Sequence, residues 1–71
     1  MPRGEKLTNE DQLERWRASS DRRKFWRARP RPGQWTATVE DETGRRVTCA
    51  ASGLERACEL LLGLMRSKGL L

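Results

Sequence analysis

Apolar and polar residues alternate most regularly in two segments, QWTATVED and RRVTCAAS, which flank the loop DETGRR. Alternation with a period of two places the apolar side chains on one face of a strand. These side chains are Trp35, Ala37 and Val39 in the first segment, and Val47, Cys49 and Ala51 in the second. In the loop, Gly44 stands where a tight turn needs a positive φ. The pattern therefore predicts an antiparallel hairpin with one apolar face.

Two other segments place apolar residues at the spacing of a helix. In KLTNEDQLERWRAS, Leu13 and Trp16 are three positions apart and share a face. Thr8 or Asn9 can cap this helix, whose first turn is acidic and which we expect to end near SSD. Because only two strongly apolar residues mark it, we expect it to dock against another element.

The second helix is predicted over SGLERACELLLGLMRSKG, with Ser52 as its cap and Lys68-Gly69 as its end. Its apolar positions are Leu54, Ala57, Cys58, Leu61, Leu64 and Met65. Leu60 and Leu62 widen the apolar arc to about 200°, because each residue advances the helix by about 100°. One small sheet does not need so wide an arc. The excess either covers the first helix or forms a homodimer contact, which we predict at Leu60, Leu64 and Leu70.

The segment RRKFWRAR is compatible with a strand or with a continuation of the first helix, and a strand is favoured because its apolar positions form no clean helical stripe. As a strand, its outward face is predicted to carry Arg23, Phe25, Arg27 and Arg29. Its inward face is predicted to carry Lys24, Trp26 and Ala28. The following PRPG, Pro30 to Gly33, predicts a turn.

Together these elements predict an α+β fold in a small single domain. A helix is followed by a two- or three-stranded antiparallel sheet, which a C-terminal amphipathic helix covers. We expect residues 1–7 to be a flexible N-terminus, residues 8–69 the domain, and residues 70–71 a tail. A chain of 71 residues holds one domain at most and is marginally stable by itself.

Positive charge is concentrated in the middle of the chain. Residues 22–39 contain six basic and no acidic residues, whereas residues 1–21 have a net charge of −1 and residues 40–71 a net charge of zero. The middle block accounts for the whole net charge of +5 and creates a local positive potential. Twelve of the fifteen basic residues are Arg, whose planar guanidinium suits phosphate and stacks on aromatic rings.

The residue inventory argues against an enzyme. The chain contains no His and no Tyr, which excludes Ser-His-Asp triads, His bases and His metal ligands. Cys49 and Cys58 are expected to be buried structural thiols, and Glu40, Asp41 and Glu42 to form a solvated turn. We therefore expect no catalysis, no cofactor and no metal. Free thiols and the lack of an apolar signal sequence or membrane-spanning segment predict a cytoplasmic protein. Glu55 and Glu59, beside the apolar face of the second helix, argue against binding to a membrane surface.

The predicted outer face of the sheet combines guanidinium groups, hydroxyls and one aromatic ring. Arg and Lys neutralise phosphates, Thr can donate to them, and Arg can form a bidentate pair with guanine. A small sheet can also enter a major groove, so duplex DNA is the first candidate partner. The alternative is a solvated polar face with a chance excess of Arg. The predicted binding residues are Arg22, Arg23, Phe25, Arg27, Arg29, Arg31, Thr36, Thr38 and Arg46.

The segment GQWTATVEDETGRRVTCAASGLERACELL resembles the small three-stranded-sheet-plus-helix domains at the N-termini of tyrosine recombinases, the arm-type DNA-binding domains. The shared pattern is G-x-W-x-A-x-V, an acidic-to-Gly hairpin with basic residues after it, and a helix with a small residue on the sheet. Here these are Gly33, Trp35, Ala37, Val39, Gly44, Arg45, Arg46 and Ala57. The resemblance implies that the outward strand residues face DNA, and it suggests a stand-alone phage or mobile-element protein.

Other classes stay open. The order helix-strand-strand-strand-helix is also that of double-stranded-RNA-binding domains, although their basic, Ala-rich helix start is replaced here by SGLERACE. The main alternative is a phage-type inhibitor or adaptor that binds and blocks one host or defence protein, because Arg and Trp are frequent hot-spot residues. An antitoxin-like partner protein ranks below both.

Overall fold

The structure, a computed structural model, describes residues 7–71. Its elements are α1 (Asn9–Ala18), β1 (Lys24–Arg31), β2 (Gln34–Glu40), β3 (Arg46–Ala51) and α2 (Leu54–Ser67). The strands form one antiparallel sheet in the order β1-β2-β3; α2 packs on β2 and β3, and α1 packs on α2 and β1. The predicted α+β fold is confirmed, with three strands in the sheet. Of the expected flexible N-terminus, residues 1–6 lie outside the described part of the chain.

Local signals define the start of α1. The Thr8 hydroxyl accepts a hydrogen bond from the Asp11 amide at 3.0 Å, and the Asp11 carboxylate accepts one from the Thr8 amide at 3.4 Å. This capping box confirms Thr8 as the cap. The Glu55 carboxylate of α2 accepts from the first two amides of α1 at 2.6 Å and 3.3 Å, where the helix dipole favours an anion. Leu13 and Trp16 are buried, as predicted.

The apolar faces of β2 and β3 coincide, as the alternation predicts. Val39 lies opposite Val47 and Ala37 lies opposite Cys49. All four residues are buried in the core cluster on the side of the sheet that α2 covers, the inner face. Trp35 is half-buried against the same cluster. The predicted hairpin is therefore confirmed in its pairing and in its inward face.

As an edge strand, β1 runs further than the sequence predicts. It continues through Pro30 to Arg31, so that the turn to β2 consists only of Pro32 and Gly33. An edge strand tolerates Pro because one side of the strand has no neighbouring strand that requires an N–H donor. The pairing of β1 with β2 is also irregular between Ala28 and Arg31. Gly33 has a φ of 78°, which side chains other than Gly rarely adopt. The turn is therefore shorter than the predicted PRPG turn.

The loop between β2 and β3 is organised by Asp41. Its Oδ1 atom accepts hydrogen bonds from the amides of Thr43 and Arg45, both at 2.9 Å, and from the Thr43 hydroxyl at 2.7 Å. The Thr43 hydroxyl is the main reason why the pKa of Asp41 lies below its ordinary value. Gly44 has a φ of 89°, as the sequence predicts. The expectation of a solvated turn is wrong for Asp41, which is buried because its side chain closes the loop.

The apolar arc of α2 is rotated relative to the prediction. Leu62, which was predicted only to widen the arc, is buried, whereas Leu64, an apolar position of the arc and a predicted dimer contact, is exposed. Leu62 lies seven residues after Glu55 and therefore on the side of α2 that contacts α1. Leu62 thus covers the first helix, one of the two predicted uses of the excess arc, whereas Leu60 is exposed. Gly53 rather than Ser52 is the N-cap, and no side chain caps the helix.

A Schellman motif ends α2 at the predicted Gly69. The Leu70 amide donates to the Met65 carbonyl at 2.8 Å, and the Gly69 amide donates to the Arg66 carbonyl at 3.3 Å. Gly69 has a φ of 75°, the left-handed conformation that this motif requires. The motif turns the chain back towards α1.

Leu70 belongs to the core, which corrects two predictions. It is 9% exposed, and its carbonyl accepts a buried hydrogen bond from the indole N–H of Trp16 at 3.0 Å. Residues 70–71 are therefore not simply a tail, and Leu70 cannot form the predicted dimer contact. The physical reason is the turn after α2, which buries Leu70 and leaves Leu71 exposed.

Candidate nucleic-acid interface

The faces of β1 are the reverse of those predicted from the sequence. Phe25 lies opposite Val39 and is buried, whereas Trp26 lies opposite Thr38 and is 39% exposed. The predicted outward placement is wrong for Arg23, Phe25, Arg27 and Arg29, and the predicted inward placement is wrong for Lys24, Trp26 and Ala28. Phe25 is thus a core residue and cannot contact a ligand in the folded protein.

The inner face of β1 accommodates Arg27 because the strand lies at the edge of the sheet. The Arg27 guanidinium reaches the carboxylates of Glu10 and Glu14 on α1 at 3.0 Å and 3.1 Å, and its Cζ lies 5.2 Å from the centre of the Phe25 ring. A long Arg side chain can cover apolar surface with its stem and keep its charge at the rim. Hydrogen bonds from Arg17 and Arg27 hold the pKa of Glu14 below its ordinary value. Arg27 is therefore engaged in joining α1 to β1.

Arg23 is also engaged by the fold. Its guanidinium donates to the Trp16 carbonyl at 3.1 Å, to the Ser19 hydroxyl at 2.6 Å and to the Glu42 carboxylate at 3.0 Å. Its Cζ lies 4.7 Å from the centre of the Trp16 ring. The contacts place a cation at the C-terminal end of α1, where the helix dipole favours it. The pKa of Glu42 is lowered mainly by its hydrogen bond from Arg23.

Other cations of the basic run have no carboxylate within 4.0 Å among residues 7–71; these are Arg22, Lys24, Arg29 and Arg31. All of them are exposed. The Cζ of Arg29 lies 5.7 Å from the centre of the inner-face Trp35 ring, so this cation belongs to the other side of the sheet. Arg22 precedes β1, Lys24 opens it and Arg31 ends it. These three charges are therefore available along the edge strand.

The opposite side of the sheet, the outer face, is open to solvent over residues 7–71. Its cross-strand rows are Lys24-Glu40-Arg46, Trp26-Thr38-Thr48 and Ala28-Thr36-Ala50. The hydroxyls of Thr38 and Thr48 lie 3.0 Å apart and share a hydrogen bond. Thr36, Thr38 and Arg46 therefore lie on this face as predicted, although Thr38 is buried beneath its neighbours.

Trp26 and Arg46 form a stack on the outer face. The Cζ of Arg46 lies 5.3 Å from the centre of the Trp26 ring, and its guanidinium is 2.9 Å from the Glu40 carboxylate. The Arg46 side chain is 62% exposed, so solvent weakens both contacts. The outer face thus presents an aromatic ring covered by a cation that can be displaced.

Trp26 and Lys24, together with Ala28, are outer-face residues that the sequence prediction placed on the inner face. A usable signal exists in α1, where Glu10 and Glu14 are four residues apart and share one helix face. Like charges at this spacing destabilise a helix slightly, so a cation from a neighbouring element is favourable beside them. An ion pair between these acids and Arg27 would place Arg27 on the inner face, and alternation would then predict Phe25 inward and Trp26 outward.

The remaining candidate chemistry lies away from this face. Cys49 and Cys58 are buried, as predicted, and burial raises the pKa of both thiols, that of Cys58 to about 11. In the described chain, no three potential ligand residues gather as a metal site. None of the helices within residues 7–71 has the length and apolar character to cross a bilayer.

The chain matches no known protein family, no curated protein and no solved structure. The resemblance to arm-type DNA-binding domains therefore stays a prediction.

Proposed function

We propose that this protein is a small, non-enzymatic binding protein that contacts nucleic acid through the outer face of its sheet. The observation that carries the proposal is the exposed stack of Trp26 and Arg46 on an open sheet face, with Lys24 in the adjacent row. Aromatic rings next to cations match the chemistry of nucleic acids, whose bases stack and whose phosphates attract Arg and Lys.

The distribution of charge supports a polyanionic partner. Arg22, Lys24 and Arg31 have no carboxylate within 4.0 Å among residues 7–71, and they lie at or next to the two ends of the exposed strand β1. Cations that neutralise phosphates release the counterions condensed on the nucleic acid, and this release is the main source of sequence-independent affinity. The ion pairs of Arg23 and Arg27 remove these two residues from the proposed surface. The proposed contacts are Arg22, Lys24, Trp26, Arg31, Thr36, Arg46 and Thr48.

The test is fluorescence anisotropy with labelled single-stranded and duplex oligonucleotides over a series of salt concentrations. We expect binding that weakens with salt, and a smaller dependence on salt in the triple variant Arg22→Gln, Lys24→Gln, Arg31→Gln. Each lost phosphate contact should reduce the log-log salt slope by roughly 0.9 for duplex DNA or roughly 0.7 for single strands.

A matched control removes equal charge from the helices. The variant Arg15→Gln, Arg56→Gln, Arg66→Gln loses three exposed cations, so its net charge falls from +5 to +2, as in the first variant. We expect the control to retain most of the salt slope of the unmodified protein. Equal salt slopes in the two variants would mean that binding depends on the net charge of the protein and not on the outer face of the sheet. No binding to either form of nucleic acid at low salt would end the proposal and favour the predicted inhibitor or adaptor class.

The predicted homodimer is a separate matter and stays a prediction. Of its predicted contacts, Leu60 and Leu64 are exposed on α2, and Leu70 is buried inside the protomer.

A further inference from the structure

Trp26 is placed as a platform for a flat ligand. Trp26 is 39% exposed on the edge strand and lies in one cross-strand row with Thr38 and Thr48. The next row consists of Ala28, Thr36 and Ala50, whose short side chains do not rise above the sheet. The short side chains of this row leave space for another planar group to approach the ring from that side.

One planar group already lies over this ring. Among residues 7–71, the contacts that restrain the 62% exposed Arg46 side chain are the Trp26 ring, 5.3 Å from Cζ to ring centre, and the Glu40 carboxylate. Displacing the Arg46 guanidinium therefore costs little, because solvent can replace both contacts. A nucleobase can take its place on the ring, and the released guanidinium can stack on the base or bind a phosphate.

The accessibility of base faces then decides which nucleic acid fits. In a duplex, both faces of each base are covered by stacking, and an inserted side chain must first separate two base pairs. In a single strand, base faces are accessible, and stacking on aromatic side chains is the usual means of recognition. Lys24, in the row next to Trp26, and Arg22 and Arg31, at the ends of the same strand, can follow a phosphate backbone.

We infer that the preferred ligand is single-stranded nucleic acid, one unpaired base of which stacks on Trp26 and displaces Arg46. This inference rests on the proposed function and specifies its ligand. It replaces duplex DNA, the first candidate from the sequence, with a strand whose bases are unpaired.

The experiment compares an oligothymidylate of about 12 nucleotides with a duplex of the same length, at equal salt, by anisotropy. We expect tighter binding of the single strand. Trp26→Ala should weaken single-strand binding roughly 5- to 150-fold, the range expected for loss of one base-aromatic stack. Trp26→Phe should weaken it less, because a smaller aromatic ring remains, and it is the conservative variant if Trp26→Ala does not fold by circular dichroism.

Tryptophan fluorescence gives a second, independent measurement. Stacking on a base should quench the emission of Trp26, whereas Trp16 is buried and Trp35 faces the inner side. The quenching by oligothymidylate should therefore disappear in Trp26→Phe, although this variant still binds.

The outcomes separate this inference from the proposed function. Duplex binding that is as tight as single-strand binding, with no effect of Trp26→Phe or Trp26→Ala, would overturn the inference and leave the proposed function standing. Tighter duplex binding that depends on Trp26 would indicate insertion between base pairs and would also overturn it. Absence of binding to both probes would overturn the inference together with the proposed function.

Discussion

Arginine side chains perform different tasks in this protein according to what lies beside them. Arg23 donates to the carbonyl of Trp16 at the end of α1, and Arg45 donates to the carbonyl of Lys68 at the end of α2, both at 3.1 Å. Both place a cation at the negative end of a helix dipole. Arg46, in contrast, lies exposed over an aromatic ring. The partners of each guanidinium, rather than the number of arginines, therefore indicate which ones are available to a ligand.

Two adjacent aromatic residues provide the sharpest residue-scale prediction. Phe25→Ala removes a buried ring and is expected to cost about 3–5 kcal/mol, which is as much as a small domain has in total. Trp26→Ala, on the outer face, is expected to cost about 1 kcal/mol. Urea unfolding followed by circular dichroism measures both, and Phe25→Leu serves as a milder variant that should stay folded at a cost of about 1 kcal/mol.

The opposite ranking would be decisive. If Trp26→Ala were unfolded while Phe25→Ala kept the stability of the unmodified protein, the faces of β1 would be those predicted from the sequence. The proposed outer-face platform would then be lost.

At the scale of elements, helix ends are defined by local chemistry. The capping box of Thr8 and Asp11 starts α1, and the Schellman motif at Gly69 ends α2. α2 has no side-chain cap at its start, so its stability depends more on packing against the sheet and α1. The end of α2 also sets the direction in which the chain returns to α1.

Two glycines of the α2 region should respond to Ala in opposite directions. Gly69 has a φ of 75°, so Gly69→Ala is expected to destabilise the protein by about 1–2 kcal/mol. Gly63 lies within α2, and a Cβ added there would have no neighbouring atom within 4 Å. Gly63→Ala is therefore expected to stabilise the protein by about 0.8–1 kcal/mol through helix propensity.

Thermal and urea unfolding measure the stability of both variants, and each variant is the control for the other. A destabilising effect of Gly63→Ala would mean that another surface packs closely on this side of α2, as in the predicted homodimer. A neutral Gly69→Ala would mean that the left-handed turn is not required.

At the scale of the whole molecule, one side of the sheet forms the core, and no element within residues 7–71 covers the other side. The helices cover the inner face, where the core cluster joins α1, the three strands and α2. The hydrogen bond from Trp16 to Leu70 links residues 54 positions apart and holds the segment after α2 against α1. A small domain of this kind depends on such long-range contacts because its core is limited.

Two adjacent leucines test the packing of the C-terminal segment against α1. Leu70→Ala is expected to cost about 2–4 kcal/mol, because it truncates a side chain that is 9% exposed. Leu71→Ala, at a residue that is 53% exposed, is expected to change stability by less than about 0.5 kcal/mol. The comparison of urea midpoints measures the difference. Equal effects of the two substitutions would place Leu70 outside the core, in agreement with the tail predicted from the sequence.

The candidate site could be predicted only in part. Thr36, Thr38 and Arg46 lie on the strands whose alternation is clear, and the structure places them on the outer face as expected. The prediction for β1 was wrong because both Phe25 and Trp26 are aromatic, so alternation alone does not distinguish the two faces. Arginines on the inner face were also unexpected, since an edge strand lets their long side chains reach acids on another element.

The sequence by itself determined the two helices, the β2–β3 hairpin with its inward face, a cap at Thr8 or Asn9 for α1 and the glycine end of α2. These features depend on residues within one or two turns of one another, so local propensity and periodicity suffice to define them. The sequence left residues 22–29 open between a strand and a continuation of α1. Only the tertiary structure decided which face of β1 is buried and that Leu70 lies in the core. Both depend on partners distant in sequence, the acids of α1 for Arg27 and the indole of Trp16 for Leu70, which no local pattern specifies.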